Sequence, residues 1–317
     1  EAARNFANKL WNAGRYLFST LEDIEQKEGF LKNPLREHRE DRWILSELDR
    51  ITGEVHNLWV SFQLGEAERV LQDFIWGQYC DWYIELAKVR LRDGDIAPQK
   101  VLTFVFERIL RLLHPFMPFI TEELWQQLKE ILSDGKNLNA SIMISQYPIP
   151  SGLSPDHTAL NEMELVIEVI KKIRNIRAEL RIEPQMLLDS SVSGTESSTA
   201  LLEESSAICR IARLKSFSIN EESGEQNLKE KSVNFVVQGI LVNLNLSSII
   251  NPLTELERIK GELLDSGKQI DRLMVLLDDG KFASKAPEEV VDRERSRLDN
   301  LRHRQELLQD LLAGLKD

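Results

Sequence analysis

The residues best suited to chemistry lie in the opening stretch ARNFANKLWNAGRYLF, residues 3–18. On a helical wheel, Phe6, Leu10, Ala13 and Leu17 share one side, widened by Ala3, Ala7 and Trp11. Arg4, Asn5, Asn8, Lys9, Asn12, Arg15 and Tyr16 share the opposite arc, and no Asp or Glu interrupts them. Yet the whole chain carries a formal net charge of -12. Ordinary solvated faces mix acids and bases, because oppositely charged i,i+4 pairs stabilise a helix slightly. Cations, amides and a phenol can instead bond phosphates and base edges, and the ring can stack on a base. A surface helix that happens to lack acids reads the same way, so composition alone leaves both readings open.

Two more basic segments stand out. IKKIRNIRAELR (170–181) carries Lys171, Lys172, Arg174, Arg177 and Arg181. DRERSRLDNLRHR (292–304) follows a short segment holding Lys281, Phe282 and Lys285. A solvated helix face accounts for the first equally well, and ion pairs between neighbouring helices account for the second. Catalytic patterns are missing. Gly135-Lys136, Gly267-Lys268 and Gly280-Lys281 lack the upstream glycine of a phosphate loop, and no GxGxxG, GxSxG or HExxH occurs. His38, His56, His114, His157 and His303 are scattered, and His114 before Pro115 reads as structural. Glu122 and Glu123 read as charge in the first turn of a helix opening at Thr121. No active site is expected in this chain.

Helical periodicity must position these residues. All six tryptophans lie between Trp11 and Trp125. The segments 41–62 and 66–91 repeat apolar residues at threes and fours, and 99–132 reads as two helices broken at Pro115 and Pro118. Residues 1–145 are therefore expected to form one helical bundle. SQYPIPSGLSPDH (145–157) reads as a linker. Residues 161–250 follow as a small α+β module: a helix over 160–182, a strand over 186–194, a short helix over 197–214, a strand over 215–220 and a β-rich run over 233–246 with Gly239 at its middle.

Residues 251–317 repeat apolar positions at threes and fours from Leu256 through Ile259, Leu263, Ser266, Ile270 and Leu273 to Leu277, and again from Val291 to Leu315. Two such helices, separated by DDGKFASKAPEEV, predict an antiparallel coiled-coil hairpin with arms of about 40 Å. The expected fold class is mainly α: a helical bundle, a small α+β junction and a coiled-coil arm.

At 317 residues and 42% hydrophobic content there is material for two or three domains. No run approaches the ~20 apolar residues of a membrane span, and no signal pattern opens the chain. Cys80 and Cys209 are far apart and outside any CxxC, so neither a disulfide framework nor a zinc site is expected, and a reducing, cytoplasmic setting is. The acidic balance argues against indiscriminate nucleic-acid binding and leaves room for local basic faces.

In order along the chain, ARNFANKLWNAGRYLF, DRWILSEL, LHPFMPFITEELW, IRNIRAEL and KFASKAPEEVVDRERSRL closely resemble the C-terminal part of the valyl-tRNA synthetases, class I aminoacyl-tRNA synthetases. The resemblance covers essentially the whole chain, and its bacterial or organellar form is the nearer likeness. It is weak over 147–160 and 221–231. The tip DDGKFASKAP also departs from a family pattern that commonly has a Ser-Asn pair before the Phe.

The resemblance implies an anticodon-binding bundle, a junction and a coiled coil that leans on the tRNA elbow. It implies attachment of valine to tRNA-Val with ATP and magnesium by a catalytic domain whose HIGH-like and KMSKS-like signatures do not occur here, and editing of threonine by a separate domain that does not occur here either. The chain is thus expected to be the tRNA-holding fragment of such an enzyme, a monomer that binds neither DNA nor membrane. By the same likeness, Arg4, Asn5, Asn8, Lys9, Asn12, Arg15 and Tyr16 face the anticodon, and Arg272, Lys281, Lys285, Arg295 and Arg302 face the elbow. The competing class is a stand-alone paralogue acting as a coiled-coil protein-interaction module. It would dimerise with concentration, where an intramolecular hairpin stays monomeric.

Overall fold

The computed structural model describes residues 2–22, 24, 29–32, 34, 36–132, 138–193, 198–220, 232–246, 252–278 and 288–314. They divide into two compact units, Glu1–Ile167 and Glu168–Asp317.

The first unit is a helical bundle. Its elements are α1 (Ala2–Leu21), α2 (Arg39–Val60), α3 (Leu64–Asp73), a π-helical stretch (Phe74–Tyr83), α4 (Ile84–Arg92), α5 (Ala97–Leu113), α6 (Pro118–Ile131) and a 3-10 turn (Ile142–Ile144). Helix α5 is buried nearly all round, from Val101 and Leu102 through Phe104 and Phe106 to Leu113, as expected of a helix at the centre of a bundle. Around it Trp125, Tyr79, Tyr83, Phe74, Leu10 and Leu17 are fully buried. Gly14 lets α1 approach closely: a Cβ there would lie 2.7 Å from Leu124 Cδ2 and 3.1 Å from Phe106 Cζ.

Helix α6 opens at Pro118, which has no N–H to leave unsatisfied, and not at Thr121. Thr121 is fully buried inside the helix, and its hydroxyl donates to the Met117 carbonyl at 2.8 Å. One continuous α-helix is expected over 66–91, but its middle is π-helical. The Pro- and Gly-rich stretch after the 3-10 turn lies against the first unit. Tyr147 Oη donates to the Leu112 carbonyl at 3.1 Å, and Arg42 pairs with Asp156 at 3.0 Å.

Helix α7 (His157–Glu179) spans the division between the units. The second unit continues with β1 (Leu188–Ser193), α8 (Ser198–Glu203), α9 (Ser205–Ala212), β2 (Leu214–Asn220), β3 (Ser232–Val237) and β4 (Ile240–Asn245). Two helices stand where one is expected over 197–214. The sheet order is β2-β1-β4-β3. The β1–β2 pair is parallel, crossed over by α8 and α9, whereas β1–β4 and β3–β4 are antiparallel. The β3–β4 hairpin turns at Gln238 and Gly239, with φ of 47° and 81°. Two positive φ angles in a two-residue loop match the twist of the flanking strands.

Helices α10 (Pro252–Asp278) and α11 (Glu288–Gly314) pack together around Ile270, Leu273 and Leu298, with Leu277 and Leu301 against them. Ile259, Ser266, Val291 and Leu308 on the expected stripes are also buried. The Leu256 side chain and Leu315 lie outside the described residues. Among the described residues no helix is long and apolar enough to cross a membrane.

Candidate nucleic-acid interface

The acid-free arc of α1 divides into two strips. Arg4, Asn5, Asn8, Asn12 and Arg15 are exposed. Their spacing of three and four places them side by side, so two guanidinium groups and three amides present donors in one direction. Lys9 and Tyr16 lie at the edge of the arc, half-buried against the π-helical stretch and α4.

Lys9 Nζ sits 2.6 Å from Asp81 Oδ1 and 5.4 Å from the centre of the Trp76 ring. Trp76 in turn stacks on Phe6 at 6.4 Å. The face therefore does meet a carboxylate, delivered from another element. Tyr16 has Lys88 Nζ 4.8 Å from its ring centre, and Lys88 is held by Glu85 at 2.6 Å. Burial, then the Glu85 charge, push the Tyr16 phenol above its ordinary range against the pull of Arg92, so it stays a neutral donor. Lys88 covers one side of the ring, which confines a stacking base to the other.

Sequence reading missed Trp76, Asp81 and Lys88 as neighbours of this face. Only the packing of α1 against the π-helical stretch and α4 brings them there. Trp76 is 38% exposed, large for an indole beside a donor-rich surface. Behind the face the bundle is held by a buried charge network. Arg90 Nη1 donates to Glu40 and Asp41, each at 2.8 Å, and Tyr83 Oη donates to Asp41 at 2.6 Å.

On the helix pair, Arg272, Arg295 and Arg302 are exposed. Arg295 pairs with Asp292 at 3.4 Å, and Arg302 Nη2 lies 3.4 Å from Met274 Sδ. Lys281 and Lys285 lie outside the described residues. The basic segment of α7 is partly structural. The Arg177 side chain is buried and donates to the carbonyls of Arg213, Glu183 and Met186. Among the described residues no group of three His, Cys, Asp or Glu side chains converges to hold a metal.

A helix face rich in donors and without an acid of its own can meet phosphates and base edges. Residues 41–192 match the family model for the anticodon-binding domain of tRNA ligases, so the bundle belongs to that class. Residues 254–316 match the model for the valyl tRNA synthetase tRNA binding arm. The chain is 41% identical over 302 residues to a protein of Dehalococcoides mccartyi named valine--tRNA ligase, covering 94% of this chain and 34% of the relative. Proteins of the same name from Carboxydothermus hydrogenoformans and Bacillus subtilis are 36% and 32% identical, across 99% and 100% of this chain and 35% of each relative. The chain thus belongs to the valyl-tRNA synthetase family and corresponds to its C-terminal, non-catalytic part. It spans about a third of the length of the curated relatives it matches. The anticodon-binding match begins after α1, whereas the Bacillus match takes α1 in.

Proposed function

We propose that this chain holds tRNA-Val for the ATP-dependent attachment of valine. In this reading residues 1–145 bind the anticodon, 161–250 join, and 251–317 form the arm on the tRNA elbow. The observation that carries it is the α1 face: five exposed donors in a row, with no acid in the helix. Arg4 and Arg15 neutralise phosphates, and Asn5, Asn8 and Asn12 offer paired donor and acceptor groups to the edges of unstacked bases. Lys9 is a weaker phosphate ligand until Asp81 releases it, and Tyr16 offers one ring face. Arg272, Lys281, Lys285, Arg295 and Arg302 hold the elbow by charge. ATP and magnesium serve the whole enzyme, and no step through them is assigned to residues of this chain. The setting is cytoplasmic and the chain is monomeric.

Fluorescence anisotropy of the chain against tRNA-Val, with Arg4→Ala and Asn8→Ala beside the parent, tests the assignment. Both variants are expected to weaken binding without lowering the melting temperature. Unchanged dissociation constants for both would sink it.

One observation favours a protein-docking module as the second reading: Leu264 and Val275 on α10 are 63% and 73% exposed. Sedimentation across a hundredfold range of concentration separates the two, because a docking module that pairs with itself dimerises and a tRNA arm does not.

A further inference from the structure

A second cluster of guanidinium groups lies in the second unit. Arg174, Arg177, Arg181 and Arg213 line a cleft of about 440 Å³, together with Glu183, Pro184 and Ile211. Three of the four are pinned by backbone carbonyls. Arg174 Nε donates to Ile211 at 3.1 Å. Arg177 donates to Arg213, Glu183 and Met186 at 3.1, 3.1 and 2.8 Å. Arg213 Nη1 donates to Pro184 at 2.8 Å. Among the described residues neither Arg177 nor Arg213 pairs with a carboxylate. Arg181 meets Glu262 at 3.4 Å, an acid that also pairs with Arg304. Glu183 is the one acid lining the cleft.

The backbone adds an independent observation. Helix α7 runs into Arg181, with φ of 50°, and helix α9 ends at Arg213, with φ of 57°. Ile182 N–H closes back on the Arg177 carbonyl at 2.9 Å, the bond that ends a helix through a left-handed residue. Glycine is the usual occupant of such a position, because a Cβ is strained there. Both helix ends at this cleft carry arginine instead, and strain kept at two adjoining positions marks a use for the side chains. Burial, and then the neighbouring Arg213, also push the Arg177 guanidinium below its ordinary value.

We infer that this cleft is a phosphate-binding site, and that the phosphate it takes belongs to the backbone of the bound RNA. The carbonyls fix the guanidinium planes in advance, and a guanidinium carries five N–H donors, so most donors of Arg213 stay available to an oxyanion. The RNA source rests on the proposed tRNA-holding function. The oxyanion chemistry does not.

The test compares the full chain with an Arg181→Gly, Arg213→Gly double variant. Glycine suits both left-handed positions, and Glu262 keeps Arg304 as a partner. The melting temperature is therefore expected to hold. A clear drop would show that the arginines are structural ties and overturn the inference. Binding of tRNA is then followed across salt. The expected result is several-fold weaker binding at low salt and a slope of log K against log salt shallower by about one. An unchanged slope with tRNA still bound overturns this inference alone. If the parent chain binds no tRNA, the proposed function fails first. Inorganic phosphate at matched ionic strength then decides the chemistry: stabilisation of the parent but not of the variant keeps a free-phosphate site and discards the RNA source, and stabilisation of neither discards the site.

Discussion

Lys9 Nζ lies 2.6 Å from Asp81 Oδ1, across 72 residues of sequence, at the edge of a helix face that contains no acid of its own. The pair is only part-buried, so its weight in folding is small. Its consequence is for binding, because Asp81 neutralises the one lysine that could meet a phosphate on this face.

Asp81→Asn should therefore strengthen tRNA binding. Freed of its carboxylate, Lys9 adds about one phosphate contact, so affinity rises at low salt and the salt slope steepens by about one. Anisotropy at three salt concentrations reads both quantities. Affinity that falls would mean that Asp81 positions Lys9 for its ligand.

Gly14→Ala should destabilise the bundle without touching the donors. The new methyl would stand 2.7 Å from Leu124 Cδ2, and Leu124 is fully buried. Overpacking of this kind costs about 1–3 kcal/mol. Urea unfolding measures the loss, and intact stability would show that α1 can move away from α6.

Arg90→Ala should be severe. It strips the cation from Glu40 and Asp41, which are 4% and 2% exposed. Burial already pushes the Asp41 carboxyl above its usual range, against Arg90. Uncompensated buried charge costs about 3–5 kcal/mol. Thermal unfolding of the variant at pH 7 checks this, and a loss under about 1 kcal/mol would show that water reaches the site.

How far each feature could be read from sequence follows from the range of the interaction behind it. Periodicity of three and four showed the helices, because burying one stripe needs only local spacing. Gly239 marked the middle of the β-rich run, where the chain turns between β3 and β4 with a left-handed backbone. The π-helical stretch was not legible: FIWGQYCDWY is apolar at nearly every position, so no face distinguishes one helical pitch from another. Thr121 looked like a cap, but Pro118 starts the helix one turn earlier and frees Thr121 for a buried bond. The seven residues of the α1 arc were legible as a set. Their division into five exposed donors and two edge residues was not, because Asp81 and Lys88 arrive by tertiary packing. The arginine cleft was half legible: its α7 members stood out by composition, whereas Arg213 and the left-handed backbone did not.

Acid should weaken the first unit in two stages. Burial holds the His114 imidazole below its ordinary 6.5, against the pull of Glu122. His114 Nδ1 lies 2.7 Å from Thr121 Oγ1, whose hydroxyl also reaches the Met117 carbonyl at 2.8 Å. The folded state thus prefers the neutral ring. That contribution is complete above 6.5 and is lost as pH falls through the folded value. Glu122 comes next. Burial raises its pKa, but bonds from Gln126, Ser141 and the Ile142 amide outweigh that and hold the carboxyl below its ordinary 4.5. Its contribution is present above 4.5 and is lost below it. Melting temperatures from pH 7.5 to 4 should fall in both windows, and His114→Gln should flatten the first. An unchanged first limb in that variant would assign it to another group.

The most direct measurement is competition anisotropy of the full chain with tRNA-Val and with the same tRNA carrying a swapped anticodon, at low and moderate salt. Preference for tRNA-Val that survives added salt and disappears in an Arg4→Ala, Asn8→Ala double variant is the expected result. Equal binding of the two tRNAs by the parent chain, with the double variant unchanged, would contradict the assignment of the α1 face to the anticodon.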